Sequence, residues 1–370
     1  MRPIQKDSSL KLISLRPSIL AVALGLSGLA PSAQALSFVF NDASTGGPMT
    51  SQQRGAFQAA ADFWSSKLSD PVTVYINIAF DSLDPNVLGA TDSNFVRASY
   101  TSTRNHLVND ARSALDASAV AHLQNSPALT FLATQGDLSS RLDTDGSANN
   151  KSLYITTANA KAMGYAVNTS AANADANVTF ATGYASQFAY TRAGGVPGNK
   201  FDFITVAEHE IGHVLGFVSG VDDIDYCAGP DNKCGLSPTA DRFERYTIYT
   251  PLDLFRYSAP GTLDVRVGGS PYFSVDGGAT GLDPFSTGAA HGDGHQASHF
   301  GGGTPNLMRP EVGYGQSYDA TAKDLAAFDA IGWDLATTPV PEPETYSLLL
   351  AGLGVVGATT RRRARKAEAC

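Results

Sequence analysis

Two histidines and a glutamate near position 210 have the spacing of a metal-binding helix. His209 and His213 are four residues apart, so on an α-helix their rings project from one face, one turn apart. Two imidazoles placed in this way can both reach one zinc ion at about 2.0–2.1 Å. Glu210 lies beside them, close enough to hold a water on the metal without binding the metal itself. The run predicts a zinc site in which Glu210 is the catalytic general base.

This pattern rarely arises by chance. With 7 His and 7 Glu among 370 residues, a random His-Glu-x-x-His is expected roughly 0.0025 times per chain. The rival interpretation is a pair of exposed histidines on a solvated helix. The apolar residues just before the motif, Phe203, Ile204, Val206 and Ala207, argue against that interpretation because they are typical of a buried helix.

A catalytic zinc site needs three protein ligands and one open position, so a third ligand must come from elsewhere. Gly216 can end the helix and turn the chain back, but three residues later the chain has Ser219, a poor zinc ligand. We favour His299 as the third ligand. The sequence leaves open as alternatives Asp222, Asp223, Glu244, Glu311, His291 and His295.

The residues around His299 add to the pattern. His299 lies in an Ala-Ser-His-Phe run, and Leu-Met-Arg-Pro follows at 307–310. The chain also has His-Glu-x-x-His-x-x-Gly-Phe at 209–217, an insertion at 219–297 before the third histidine, and Ile-Gly-Trp at 331–333. Together these motifs resemble the leishmanolysin-type metzincins, which are zinc endopeptidases.

The resemblance implies a zinc metallopeptidase that acts on protein or peptide substrates. His209, His213 and His299 would hold one catalytic Zn²⁺, Glu210 would be the general base, and Met308 would pack beneath the metal without coordinating it. An alternative is an exported surface or biofilm-matrix protein whose zinc site is not catalytic. A zinc hydrolase that acts on something other than peptides is also compatible with the motif. Structural zinc sites usually have four protein ligands, and the lack of an obvious fourth favours catalysis.

The hydrophobic patterns predict an α+β fold, which the resemblance refines to a metzincin-like protease with a mixed sheet. Strands are predicted at 36–40, 72–80, 128–133, 152–156 and 177–190, and helices at 51–68, 103–117, 156–164 and 320–335. The stretch 261–303 holds 12 glycines, which favours loops and turns. We expect an N-terminal subdomain at 36–218 that ends in the zinc-binding helix, and a loop-rich C-terminal subdomain at 219–338.

The N-terminal 35 residues are typical of a secretory signal peptide. A basic stretch ends at Arg16, an apolar run covers 19–30, and Ala33-Gln34-Ala35 has small residues where signal peptidase cleaves. We therefore expect residues 1–35 to be removed on export.

The C-terminal residues 339–370 form a tail of three parts. Pro-Glu-Pro at 341–343 is followed by an uncharged, largely apolar stretch at 346–360 and then by five basic residues. This arrangement resembles the PEP-CTERM sorting signal of Gram-negative bacteria. The resemblance implies transient membrane insertion, recognition by an exosortase-type sorting enzyme, and a final location outside the cell or on its surface.

Two smaller features follow from export and from the loops. Cys227 and Cys234 are predicted to form a disulfide, because thiols outside the cytoplasm oxidise readily. Asp276, Asp283 and Asp293 could bind Ca²⁺, but they lack the spacing of a calcium loop, so solvated turns are the favoured interpretation.

The charge of the chain excludes one class of partner. The formal net charge is -9, and the basic ends at 1–35 and 361–370 conceal a body of about -16. So acidic a body repels phosphate backbones, which argues against nucleic-acid binding.

Overall fold

Residues 36–336, apart from Gly302 and Thr304, are described by the computed structural model of the chain. Its helices are α1 (Ser51–Lys67), α2 (Tyr100–Asp110), α3 (Ala114–Ala121), α4 (Ala148–Lys151), α5 (Thr157–Ala162), α6 (Phe203–Val214), α7 (Val221–Cys227) and α8 (Ala322–Ala330). Its strands are β1 (Ser37–Asp42), β2 (Thr73–Asp81), β3 (Gly89–Ser93), β4 (Phe95–Ser99), β5 (Phe131–Thr134), β6 (Ser140–Asp143), β7 (Ser152–Thr156), β8 (Ala176–Ala181), β9 (Phe188–Ala189), β10 (Phe201–Asp202), β11 (Arg256–Ala259), β12 (Thr262–Val265), β13 (Tyr272–Phe273) and β14 (Asp283–Pro284). Short 3₁₀ helices lie at Thr182–Gln187 and Pro251–Phe255.

The structure is a mixed α/β arrangement with several sheets. The largest sheet near the N-terminus has the strand order β1-β2-β8-β3, with β1, β2 and β8 parallel and β3 antiparallel to β8. A second sheet has the order β14-β13-β11-β12-β5-β6 and joins strands from both predicted subdomains. Two-stranded sheets pair β4 with β7 and β9 with β10. The mixed sheet is therefore as the sequence predicts, whereas the boundary between 218 and 219 stays a prediction.

Strand β2 shows why the sheet forms where the pattern places it. Its residues alternate between buried and half-buried along the whole strand, with Val74, Ile76, Ile78 and Phe80 facing the core. This period of two is the signature of a strand with one face in the core. On that face α1 packs Phe57 and other apolar residues against the sheet.

Two predicted elements are wrong in extent. The helix predicted at 103–117 is two helices, because Ser113 caps a new helix by accepting a hydrogen bond from the Asp116 backbone N–H. The strand predicted at 177–190 ends at Ala181, where the chain turns into a 3₁₀ helix that includes Gly183. Apolar periodicity continues through both breaks, so it did not reveal them.

The two tryptophans of the chain both hold helix α6 in place. Trp64 on α1 donates from Nε1 to the Glu208 carbonyl at 2.8 Å, and Trp333, just after α8, donates to the Leu215 carbonyl at 2.7 Å. Both rings are buried, and Trp64 also packs edge-on against Phe328 of α8 at 4.6 Å. Helix α6 is thus fixed from two sides by large buried rings.

The predicted signal peptide at 1–35 and the predicted tail at 339–370 lie outside the described residues. In the part that is described, from 36 to 336, no helix combines the length and the apolar character needed to cross a bilayer. The predicted disulfide is present, and it joins Cys227 at the end of α7 to Cys234.

Candidate metal centre

Helix α6 has well-defined ends. Asp202 caps its first turn, and Oδ2 accepts from the Thr205 backbone N–H at 3.2 Å and from Thr205 Oγ1 at 2.7 Å. After Leu215 the chain turns at Gly216, which has φ of +113°, a region that favours glycine. A Cβ at Gly216 would lie 3.0 Å from the Cβ of Asn159, so the turn also leaves no room for a side chain.

The rings of His209, His213 and His299 meet at one point. The Nε2 atom of His209 is 3.0 Å from Nε2 of His213 and 3.2 Å from Nε2 of His299. Tetrahedral ligands at about 2.0–2.1 Å from zinc lie about 3.3 Å from one another, close to these distances. The structure thus brings together all three residues that the sequence suggested as ligands; their binding of zinc stays a prediction.

The second nitrogen of each ring fixes its tautomer. In all three rings Nδ1 faces a backbone carbonyl oxygen. The distances are 2.8 Å from His209 to Leu307, 2.7 Å from His213 to Phe217 and 3.1 Å from His299 to Gln296. A carbonyl only accepts, so each Nδ1 donates, and in the neutral ring Nε2 is then a bare acceptor. Three such lone pairs repel one another unless a cation lies between them, and a set of three neutral imidazoles is one that Zn²⁺ binds.

Burial favours the neutral rings that a metal requires. Desolvation, together with the neighbouring His209, lowers the pKa of His213 to about 3. Desolvation, followed by the charges of the other two rings, holds the pKa of His299 well below its usual range, and burial also lowers that of His209. The donor set is therefore unprotonated near neutral pH, as metal binding demands.

Met308 lies against the helix between the two ligands that α6 provides. It is fully buried, and a Cβ added to Gly212 would lie 2.4 Å from its Sδ atom. Glycine at this position is therefore required for the close approach of the turn at 307–308 to the helix. The predicted packing of Met308 beneath the histidines agrees with this contact.

A buried carboxylate on α8 holds that turn. Asp324 accepts from the backbone N–H groups of Leu307 and Met308 at 3.1 and 3.0 Å, and it also accepts from the N–H and hydroxyl of Thr321. The carbonyl of Leu307 in turn receives the Nδ1 proton of His209. Asp324 therefore orients one ligand through a single intervening residue, the kind of outer support that metal sites need.

Glu210 lies in the same cleft as the three rings and is held by strand β3. Thr91 Oγ1 lies 2.7 Å from its Oε2 atom and 3.0 Å from its carbonyl oxygen. A Cβ on Gly89 would come within 2.7 Å of Oε1, so β3 needs glycine there to admit the carboxyl group. Burial, opposed by the bond to Thr91, raises the pKa of Glu210 to about 7.

The alternative third ligands have other contacts. His291 pairs with Asp225, with Nδ1 and Oδ1 3.1 Å apart, and His295 is 4.0 Å from Glu311. Asp222 accepts hydrogen bonds from the backbone of Ala297 and Ser298. Within the described residues no fourth His, Cys, Asp or Glu joins the three rings.

One other group of acidic residues has the compactness of a metal site. Asp143, Asp145 and Glu244 lie close together, but the guanidinium of Arg141 bonds all three. The guanidinium of Arg141 thus already occupies the place between the three carboxylates that a metal ion would take.

The aspartates considered for calcium have protein partners, and two of them hold turns. Asp293 Oδ1 accepts from the N–H groups of Thr287 and His295, and Asp276 Oδ1 accepts from Ser274 and Thr280. Asp283 lies 3.2 Å from the ammonium of Lys323.

Sequence reasoning missed the residues that support the site. Thr91 and Gly89 belong to a short strand that carries no motif. Asp324 had a local signal, since Thr321 and Asp324 form a capping box at the start of α8, but nothing in that spacing indicates the bonds to 307 and 308.

Comparison with known proteins bears on the tail alone. Residues 339–364 match the PEP-CTERM protein-sorting motif. The match supports a protein that is exported, recognised by an exosortase-type enzyme and sorted to the cell envelope. No curated protein and no solved structure matches the chain.

Proposed function

We propose that the chain is an exported zinc-dependent endopeptidase that hydrolyses peptide bonds outside the cytoplasm or at the cell surface. The observation that carries the proposal is the convergence of three bare Nε2 atoms beside the carboxyl group of Glu210 in an open cleft. The export signal at 339–364 supports the location. The resemblance of the motifs to leishmanolysin-type metzincins supports the reaction class.

The edge strand that lines the cleft favours an extended peptide as substrate. The cleft has a volume of about 990 Å³, and Glu210 and the three histidines are among the residues that line it. Strand β3, at the edge of the four-stranded sheet, lines the cleft next to Glu210 through Gly89, Ala90 and Thr91. An edge strand offers backbone groups to which an extended peptide can pair.

The chain's own residues divide the chemistry among them. When bound by the three imidazoles, zinc supplies a Lewis acid that favours attack by water on a carbonyl group. Glu210 accepts a proton from the attacking water at Oε1, the oxygen that Thr91 leaves free, and returns it to the departing nitrogen. The bond from Thr91 to Oε2 keeps the carboxyl group from rotating between these two transfers.

The decisive experiment compares metal content and hydrolysis in three samples of the purified protein. These are the wild type, the wild type stripped by a chelator and reloaded with zinc, and Glu210→Gln. Casein and a proteome-derived peptide mixture serve as substrates. We expect one zinc per chain in the wild type and in Glu210→Gln, with turnover at least about 100-fold lower in the variant because general base catalysis is lost.

Two outcomes would contradict parts of the proposal. Full activity in Glu210→Gln would refute the role of that residue. Zinc binding without hydrolysis of either substrate by the wild type would favour the alternative, a surface or matrix protein with a non-catalytic zinc site.

A further inference from the structure

The insertion between the second and third histidines begins and ends at one place. The backbone N–H of Ser219, three residues after Gly216, donates to Ser298 Oγ at 2.9 Å across 79 residues of sequence. Ser298 directly precedes His299. The residue before the third ring is therefore hydrogen-bonded to the chain just beyond the end of α6.

Asp222 on helix α7 binds the same segment through both of its carboxylate oxygens. Its Oδ1 atom accepts from the Ala297 backbone N–H at 2.5 Å, and its Oδ2 atom accepts from the Ser298 backbone N–H at 3.1 Å. The Ser298 hydroxyl also donates to Oδ2. Both carboxylate oxygens are thus engaged by the two residues that lead into His299.

The other side of the same segment is held by a buried cation. Arg256 is fully buried, and its guanidinium donates to the carbonyl oxygens of Ala297 and Ser286 at 3.0 Å each. Burial lowers the pKa of Arg256, and the nearby carboxylates of Asp253 and Asp222 oppose this by favouring the charged form. Ala297 is therefore fixed at its N–H by an anion and at its carbonyl by a cation, and such charged hydrogen bonds are the stronger kind.

We propose that Asp222 is a positioning residue for the third metal ligand. Helix α7, which lies in the insertion, then holds the segment before His299 so that this ring lies beside the two rings of α6. This inference rests on the proposed metal site. It also assigns Asp222 a different role from the one that the sequence left open, which was that of the third ligand itself. Outer residues that orient a ligand typically account for 10–100-fold in metal affinity.

The test measures Zn²⁺ affinity of the full metal-free chain by competition with a chromophoric chelator. We expect Asp222→Ala to weaken binding by about 10–100-fold. Ser298→Ala, which keeps both backbone bonds to the carboxylate, should weaken it less. The matched control is Asp223→Ala, one residue away on the same helix, because within the described residues no hydrogen bond to the Asp223 carboxylate is present; it should bind zinc within about twofold of the wild type.

A spectroscopic arm separates positioning from general loss of stability. Co²⁺ replaces zinc, and its visible spectrum reports the number and geometry of ligands. In Asp222→Ala the spectrum should shift toward that of His299→Ala, whereas a variant that is merely less stable should keep the wild-type bands. Wild-type affinity and spectrum in Asp222→Ala, or in Ser298→Ala if the former does not fold, would overturn the inference.

Amide hydrogen exchange distinguishes failure of this inference from failure of the proposed function. If the wild type binds no metal, the metal centre is wrong, yet Asp222 can still be judged in the metal-free protein. Faster exchange in residues 289–299 of Asp222→Ala, with α6 unchanged, supports the positioning role. Unchanged exchange in that segment overturns it whatever the metal result.

Discussion

The two halves of the candidate metal centre are built in different ways. Helix α6 provides two rings, and their common direction follows from a spacing of four residues alone. The segment 296–308 provides the third ring and Met308, and its described residues form no helix and only an isolated β-bridge, between Phe300 and Phe285. Its position depends on hydrogen bonds that its backbone N–H groups donate to the carboxylates of Asp222 on α7 and Asp324 on α8.

This difference indicates which rings of the site should keep their positions when distant residues are substituted. The rings on α6 share one rigid element that two buried tryptophans hold. The third ring depends on bonds to Asp222 and Arg256, each of which can be lost through a single substitution. We expect metal affinity to be more sensitive to substitutions far from the rings on the His299 side of the site than on the α6 side.

The largest effect should follow from removing a ring from either half. His213→Ala and His299→Ala should each weaken zinc binding by about 1,000-fold or more, because one of three ligands is lost. A 1,000-fold change in affinity corresponds to about 4 kcal/mol of binding free energy. Competition with a chelator gives the affinities. His291→Ala and His295→Ala are the matched controls, and loss of affinity in either control with an unchanged His299→Ala would place the third ligand elsewhere.

The sequence predicts the first half well and the second only through resemblance. The His-Glu-x-x-His spacing is local, so residues 209–213 alone indicate both the helix and the chemistry. Only its neighbours distinguish His299 from the other candidates, and no rule of spacing links it to α6. Thr91, Asp324 and the clamping role of Asp222 could not be predicted, since each depends on contacts that only the folded chain creates.

The contact between the two halves can be tested at Gly212. Alanine usually stabilises a helix relative to glycine, but here its Cβ would lie 2.4 Å from Met308 Sδ. We expect Gly212→Ala to lower the free energy of unfolding by about 1–3 kcal/mol through overpacking. Urea denaturation of the metal-free protein measures the change.

Gly55 on α1 provides the matched control for this prediction. Nothing lies within 4 Å of a Cβ added there, so Gly55→Ala should raise stability by about 0.5–1 kcal/mol. Met308→Ala itself should lower stability by about 2–5 kcal/mol, but in that background, where the space is free, Gly212→Ala should cost less than it does in the wild type. Equal, stabilising effects at both glycines would show that Met308 does not pack against α6 in this way.

The smallest effect concerns a carboxyl group that belongs to neither half. Asp70 is buried, its Oδ2 atom accepts from the Asp334 backbone N–H at 2.9 Å, and burial raises its pKa to about 7. Because the folded chain holds this proton more tightly than the unfolded chain, its stabilising contribution is complete below about pH 4 and is lost as the pH rises toward 7.

Asp70→Asn isolates this contribution from that of the histidines, whose lowered pKa values act in the opposite direction. Between about pH 5 and pH 6 the wild type should lose on the order of 1 kcal/mol relative to Asp70→Asn, because one pKa unit corresponds to about 1.4 kcal/mol. Urea denaturation of both metal-free proteins at the two pH values gives the difference. Parallel pH dependence in the two proteins would mean that Asp70 is ionised in the folded chain.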